Sequence, residues 1–116
     1  MRILSVNSRL IFVEVAKTQA QRQKGLQNRS HLKKNWGMLF IFKEEDFHAF
    51  WMKDTYIPLD IAFIDRNNTI VDIQQMIPLD IQIRYDSAKK IKYALEVNAG
   101  WMEKNDIQVN EKVFFW

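Results

Sequence analysis

The chain has 116 residues, enough for one domain with its own core, and we treat residues 1–116 as a single domain. Its composition, 47% hydrophobic and 13% aromatic, excludes disorder as the main state. A formal charge of only +3 does not by itself indicate nucleic-acid binding, and the lack of cysteine excludes disulfides, thiolate catalysis and cysteine-ligated zinc.

The first part of the chain is predicted to contain two strands and one short helix. Residues 10–15 alternate in side-chain character, which indicates a strand. Thr18 and Gln21 have the spacing of a capping box, so a short surface helix should begin there and end by about Gln27. Residues 37–42 are apolar on both faces, as is typical of a buried central strand.

The remainder of the chain is predicted to be mostly strand. Residues 66–68 form a hairpin turn because asparagine tolerates positive φ, and residues 99–105 could form one helical turn. Strands are predicted over residues 47–52, 59–65, 69–77, 91–98 and 109–116. Short strands with tight connections predict an all-β fold, either closed or sandwiched.

The pentapeptide IPLDI occurs twice, beginning at Ile57 and Ile77. Proline suits the start of a strand, and an acid within an apolar strand needs a hydrogen-bonding partner. We expect the carboxylate of Asp60 to accept N–H groups from the loop of residues 53–57, with Asp80 repeating the arrangement on a more exposed strand. The alternative is that Asp60 is a pocket acid facing a lysine.

Segments spread along most of the chain match the pattern of one known family. They are Gly25-Leu26 with Arg29, residues 37–40, 50–55 and 57–61, residues 63–65, and residues 95–97 with Ala99-Gly100. Together they resemble the family known as domain of unknown function 192, also called uncharacterised protein family 0127. The resemblance implies a compact β-sandwich or jelly-roll-like barrel, to which the capping box at Thr18 adds one short helix near the N-terminus. It implies no established activity.

The chain departs from the family's usual residues in three places. Gln27 stands where methionine is usual, and Asn110-Glu111 stands where Gly-Asp is favoured. Asp54 replaces an asparagine and places a charge beside Lys53, so a role that needs a neutral amide at this position is in doubt.

The candidate site is a set of polar side chains that interrupt apolar strands. Lys53 would hold an anionic group, while Asp54 and Thr55 would bind the polar edge of a ligand. Buried polar groups need partners, so we expect the set to converge on one concave surface walled by Trp51, Tyr56 or Phe50. Its members are Trp51, Lys53, Asp54, Thr55, Asp60 and Glu96. The simpler interpretation of residues 53–55 is a solvated turn, and Glu96 could pair with Lys53, Arg29 or Thr55.

Three functions are compatible with these residues. The favoured one is non-catalytic binding of a small molecule or peptide that carries an anionic group. The alternative is a small enzyme that uses Asp60 and Glu96 as acid and base. Nucleic-acid binding is the least favoured, because the lysines at 33–34 and 89–92 are scattered.

Neither a metal nor a cofactor is expected. His31 and His48 lack ligand spacing, and the chain contains no glycine-rich phosphate loop. No apolar run approaches the roughly 20 residues of a membrane helix, so no membrane partner is predicted. The first ten residues are too polar for a signal peptide, which predicts a cytoplasmic protein, or an exported one if a leader has been removed.

Overall fold

The computed structural model describes residues 2–116, which fold mainly into β-strands. The strands are β1 (Arg2–Val6), β2 (Arg9–Ala16), β3 (Trp36–Asp46), β4 (Ala49–Phe50), β5 (Leu59–Ile64), β6 (Ile70–Met76), β7 (Tyr85–Asp86), β8 (Ile91–Asn98) and β9 (Val113–Phe115). The helices are α1 (Gln19–Lys24) and α2 (Trp101–Lys104). Among residues 2–116, no helix is long and apolar enough to cross a bilayer.

Seven strands form one curled sheet in the order β6-β5-β8-β3-β2-β1-β9, and β4 pairs with β7 in a small second sheet. Neighbours in the large sheet run antiparallel except β2 and β3, which are parallel and are connected through α1. The two edges of the sheet meet at one end, where Ile70 N donates to Glu111 O (2.9 Å) and Val113 N donates to Asn68 O (2.8 Å). The result is a half-barrel, which confirms the predicted compact all-β fold.

The sheet is covered on both faces. One face packs with α2 around a core that includes Val13, Leu95 and Val97. The other packs under the segment that follows α1 and around β4, with Phe40 and Phe63 among its buried side chains. Strand β5 is buried along its whole length because it contributes to both cores. Its alternate side chains therefore enter two separate environments.

Local sequence signals set the bounds of α1. Thr18 Oγ1 accepts from Gln21 N, and Gln21 Oε1 accepts from Thr18 N, each over 3.1 Å. The predicted capping box is thus confirmed. The helix ends before Gly25, whose φ of 47° lies in the left-handed region that glycine tolerates best. It is shorter than predicted and has no buried residue, in agreement with a surface position.

Several predicted elements differ from the structure. The aromatic strand over residues 47–52 is reduced to β4, and the last strand covers only β9. Two helices form instead of one, because residues 101–104 complete the turn suggested for that region. Strand β1 was not predicted. The second IPLDI copy was expected on a strand, but it forms a loop after β6.

Gly37 on β3 allows an unusually close approach to β8. A Cβ atom at this position would lie 2.5 Å from Glu96 O and 3.0 Å from Val97 Cγ1. The nearest atom, Glu96 O, belongs to the backbone and therefore cannot move aside as a flexible side chain could. The absence of a side chain at Gly37 therefore positions the part of β8 that carries Glu96.

Candidate functional site

A cavity of about 250 Å³ opens between α1, β3 and the segment around β4. Aromatic side chains form its walls, and the ring centroids of Phe40 and Phe50 are 5.2 Å apart in an edge-to-face arrangement. Phe42 also contacts Phe50 edge-on, at 5.9 Å. The sequence offered Phe50 as a possible wall residue but did not single out Phe40 or Phe42, because apolar strand positions indicate core packing before they indicate a cavity.

Glu96 lies at the base of this cavity. Strand alternation sends Leu95 and Val97 into the core next to α2 and sends Glu96 to the opposite face. The residue is only 5% exposed, and burial raises the pKa of its carboxyl group to about 8. Among residues 2–116, no hydrogen bond or ion pair reaches this carboxyl group. An unpaired buried carboxylate is very costly, so Glu96 is mostly neutral at pH 7.

The predicted partners of Glu96 are engaged elsewhere. Arg29 forms a two-pronged ion pair with Glu14, and one of its two contacts, from Nη2 to Oε1, spans 2.9 Å. Thr55 lines the same cavity and is buried, but its hydroxyl donates to Lys53 O over 3.0 Å. A neutral carboxyl group offers one O–H donor and acceptor oxygens. Glu96 therefore presents an unused hydrogen-bonding group to whatever occupies the cavity.

Cationic side chains surround the mouth of the cavity. Arg22 and Lys24 from the last turn of α1 line it, together with Arg84. The guanidinium of Arg22 is fixed by the carbonyl groups of Lys17 and Ile41, with 3.0 Å to the latter. Apart from Glu96, no side chain lining the cavity is acidic among the residues described. The mouth therefore favours an anion.

Trp51 lies at the mouth and is partly exposed, at 43%. The guanidinium carbon of Arg84 lies 5.6 Å from the centroid of the indole, and Lys53 Nζ lies 5.5 Å from it. Both cations are within the range of cation–π attraction. Lys53 therefore contacts the mouth through Trp51, although it does not line the cavity itself.

Asp54 belongs to a turn outside the cavity lining. It adopts a φ of 52°, and its carbonyl oxygen accepts from Asn28 N over 2.8 Å. Asparagine and aspartate both tolerate this left-handed conformation. The change from the family's asparagine therefore preserves the backbone requirement of the turn. For Lys53 and Asp54, the solvated-turn interpretation describes the observed geometry.

Asp60 does not share the site. Its side chain enters the core next to α2, where Oδ2 accepts from Gly100 N at 2.9 Å and from Met102 N at 3.4 Å. The expectation that it secures the loop of residues 53–57 is therefore wrong. Burial raises the pKa of the Asp60 carboxyl group, while the N–H groups of Gly100 and Met102 lower it. Asp60 supplies the cap that Gly100, the N-cap residue of α2, cannot supply because it has no side chain.

The predicted convergence on one surface is thus only partly observed. The structure places Trp51, Thr55 and Glu96 around one cavity and leaves Lys53 at its edge. Asp60 lies on the other side of the sheet, beside a second depression that includes Gln75. An acid–base pair of Asp60 and Glu96 is excluded by this geometry. Within residues 2–116, no cluster of three metal-ligating side chains occurs.

Two solved structures are similar to this chain over nearly its full length. A protein of unknown function from Novosphingobium aromaticivorans DSM 12444 is 30% identical with a TM-score of 0.91, covering 96% of this chain and 82% of its own. A protein from Sinorhizobium meliloti 1021, proposed to be a transcription regulator, is 32% identical with a TM-score of 0.90, covering 98% of this chain and 90% of its own. No curated protein matches.

The family model of DUF192, described as an uncharacterised ACR, matches residues 2–115. This range covers every strand and both helices, including the walls and base of the cavity. The chain therefore belongs to the DUF192 family, as the resemblance of its sequence segments predicted.

Proposed function

We propose that this protein binds a small amphiphilic ligand in the cavity above Glu96, without catalysing a reaction on it. The observation that supports this most directly is the carboxyl group of Glu96, which is buried, has no protein partner among residues 2–116 and lines an aromatic cavity. Buried polar groups are nearly always hydrogen-bonded, and a ligand would supply the missing partner. A volume of about 250 Å³ suits a small molecule or the end of a peptide.

The chemistry of the lining defines the ligand. Its apolar part would pack between Phe40, Phe42 and Phe50. An amide, carbonyl or hydroxyl group would pair with neutral Glu96, which can both donate and accept. An anionic group would lie near Arg84 at the mouth. N-acylated amino acids combine these three features, and N-acetylphenylalanine is a suitable probe.

Methionine methyl NMR of the full chain tests the proposal. Met52 lines the cavity, whereas Met102 is buried in the core on the other face of the sheet. Titration with N-acetylphenylalanine should shift the Met52 methyl resonance and leave that of Met102 unchanged. The variant Glu96→Leu should weaken binding about tenfold, the effect of losing one good hydrogen bond. The control is Asp60→Asn, on the opposite face, which should preserve the affinity.

Two results would contradict the proposal. One is the absence of any Met52 shift with N-acetylphenylalanine and related acylated amino acids. The other is equal affinity in the wild type and Glu96→Leu. Native mass spectrometry of the purified protein provides a test that assumes no ligand, because a bound molecule would add mass in the wild type and be lost in Glu96→Leu.

Nucleic-acid binding remains the less favoured candidate. It is supported by the description of the Sinorhizobium meliloti protein as a proposed transcription regulator. Lys33, Lys34, Lys89 and Lys90 are exposed here, while Lys92 Nζ donates to the carbonyl oxygen of Lys43 over 2.6 Å. Titration with duplex DNA at two salt concentrations tests this candidate. Binding through phosphate contacts would weaken steeply as the salt concentration rises.

A further inference from the structure

The two copies of IPLDI have opposite environments. In the first copy the three aliphatic side chains are buried: Ile57 (5% exposed), Leu59 (0%) and Ile61 (0%). In the second copy they are more than half exposed: Ile77 (57%), Leu79 (51%) and Ile81 (62%). The same peptide therefore serves as core in one place and as surface in the other. Packing within the chain therefore does not explain the aliphatic side chains of the second copy.

The second copy lies in a loop, residues 77–84, in which most N–H groups are paired within the protein. Asp80 Oδ1 accepts from Gln82 N (2.9 Å) and Ile83 N (3.3 Å), which closes a local turn. Leu79 N donates to Thr55 O over 3.0 Å, and Ile77 N donates to the hydroxyl of Tyr85 over 3.0 Å. The loop therefore exposes aliphatic side chains while keeping most of its N–H groups paired.

Hydrogen bonds join this loop to residues 51–56, a turn with two exposed aromatic side chains that lies beside the cavity. The bond from Leu79 N to Thr55 O and a bond from Met52 N to Asp80 O (3.3 Å) join the two segments. Trp51 and Tyr56 on that turn are exposed at 43% and 54%. We define the apolar patch as Trp51, Tyr56, Ile77, Leu79, Ile81 and Ile83. Six exposed apolar side chains on two segments that are bonded to each other are typical of an interaction site.

We infer that the apolar patch docks on the surface of an anionic lipid bilayer. Tryptophan and tyrosine are the residues that favour the boundary between headgroups and acyl chains. Isoleucine and leucine side chains beside them would reach the boundary of the acyl region, while the backbone of the loop stays at the level of the headgroups.

The charges around the patch favour an anionic surface. Lys53 and Arg84 flank Trp51, and Arg22 and Lys24 stand at the adjoining cavity mouth. The acidic residues of the two loops are Asp54 and Asp80, and Asp80 is already engaged by two N–H groups. Basic residues close to a membrane surface each contribute favourably to binding anionic lipid. Docking of this kind needs no spanning segment, so the lack of a spanning helix among residues 2–116 does not oppose it.

Vesicle sedimentation of the full chain tests the inference, independently of any ligand in the cavity. The vesicles contain phosphatidylcholine alone or phosphatidylcholine mixed with phosphatidylglycerol. The wild type should bind the mixed vesicles and be released by added salt. The double variant Ile81→Asp, Ile83→Asp should bind at least tenfold more weakly. The matched control is Leu10→Asp, Phe114→Asp, which changes two equally exposed apolar residues outside the patch (59% and 58%) and should bind like the wild type.

Three results would overturn the inference. The first is the absence of binding to mixed vesicles, and the second is equal loss of binding in the patch variant and the control. The third is a concentration-dependent dimer in analytical ultracentrifugation that the patch variant abolishes, since this would assign the patch to a second copy of the chain. Circular dichroism spectra that match the wild type confirm that both variants fold, as expected for exposed positions.

Discussion

Asp60 and Glu96 lie one position apart in the register between β5 and β8, so their side chains leave the sheet on opposite faces. Asp60 pairs with Val97, and Ile61 pairs with Glu96. Because residues directly opposite share a face, Asp60 faces the core next to α2 and Glu96 faces the cavity. Two buried carboxyl groups therefore have separate tasks: one completes a helix terminus, and the other is available to a ligand.

Replacing Glu96 with glutamine should change how stability depends on pH. Burial raises the pKa of Glu96 from the ordinary 4.5 to about 8. Between these values the native state holds a proton that the unfolded chain releases, so the free energy of unfolding falls as pH rises. Glu96→Gln lacks this loss and should gain stability relative to the wild type by up to about 1.4 kcal/mol for each pH unit.

Urea denaturation at several pH values across that window measures the slope. Glu44→Gln, which changes an exposed glutamate, serves as the control and should run parallel to the wild type. A constant difference between Glu96→Gln and the wild type at every pH would show that Glu96 titrates normally.

Removing the carboxyl group of Asp60 should destabilise the segment around α2. Asp60→Ala leaves the N–H groups of Gly100 and Met102 without an acceptor, at a cost of about 1–3 kcal/mol. Asp60→Asn keeps an acceptor oxygen and should cost less. The measurement is urea denaturation, combined with hydrogen exchange at the Gly100 amide, which should become faster in Asp60→Ala.

Asp80→Ala is the matched variant in the repeated pentapeptide. Asp80 also accepts two N–H groups, but in an exposed loop where water can replace it, so the cost should be smaller. Equal and negligible losses for Asp60→Ala and Asp80→Ala would refute the capping role of Asp60.

Gly37→Ala should destabilise the protein through the contact of β3 with β8. Its Cβ atom would meet Glu96 O at 2.5 Å, and moving the strand apart costs about 1–3 kcal/mol. Lys43→Ala changes an exposed position on the same strand and should be nearly neutral. Thermal unfolding of the two variants makes the comparison. A Gly37→Ala variant as stable as Lys43→Ala would show that the strands can separate freely.

The ion pair of Glu14 and Arg29 should make the free energy of unfolding rise with pH, whereas Glu96 makes it fall. The hydrogen bond from Arg29 lowers the pKa of Glu14, so its stabilisation is present above the ordinary pKa and is lost as pH falls through the lowered value. Both side chains are partly exposed, so Glu14→Gln should cost about 1 kcal/mol or less at pH 7. The difference from the wild type should vanish in acid denaturation. A difference that persists there would indicate lost packing instead of lost charge.

Sequence patterns predicted those features that depend on neighbours along the chain. The capping box of Thr18 and Gln21, the turn at Asn68 (φ 62°) and the alternation of β5 each follow from residues a few positions apart. The partner of Asp60 could not be predicted in this way, because Gly100 lies 40 residues away in sequence. The contact exists only through the pairing of β5 with β8.

The repeated pentapeptide shows this limit most directly. Ile61 is fully buried and Ile81 is 62% exposed, although each is the last residue of the same pentapeptide. The first copy continues into a strand that is paired on both sides, while the second is followed by Gln82 and Arg84, which favour water. Burial is therefore decided by strand pairing, which a local pattern does not contain. The positions of Phe42 and Arg22 in the cavity lining could not be predicted either, because they depend on how α1 lies against β3.

The position of β9 has a consequence for the order in which the protein can be made. This strand pairs with β1, and the residues beside it bond to the start of β6, so it joins the first and sixth strands of the chain. Those residues are synthesised after every strand that they join. Until then both sheet edges present unpaired backbone groups, which are templates for aggregation. We therefore expect the sheet to close only once residues up to Phe115 are available, and we expect ribosome-bound chains shorter than residue 113 to require chaperones.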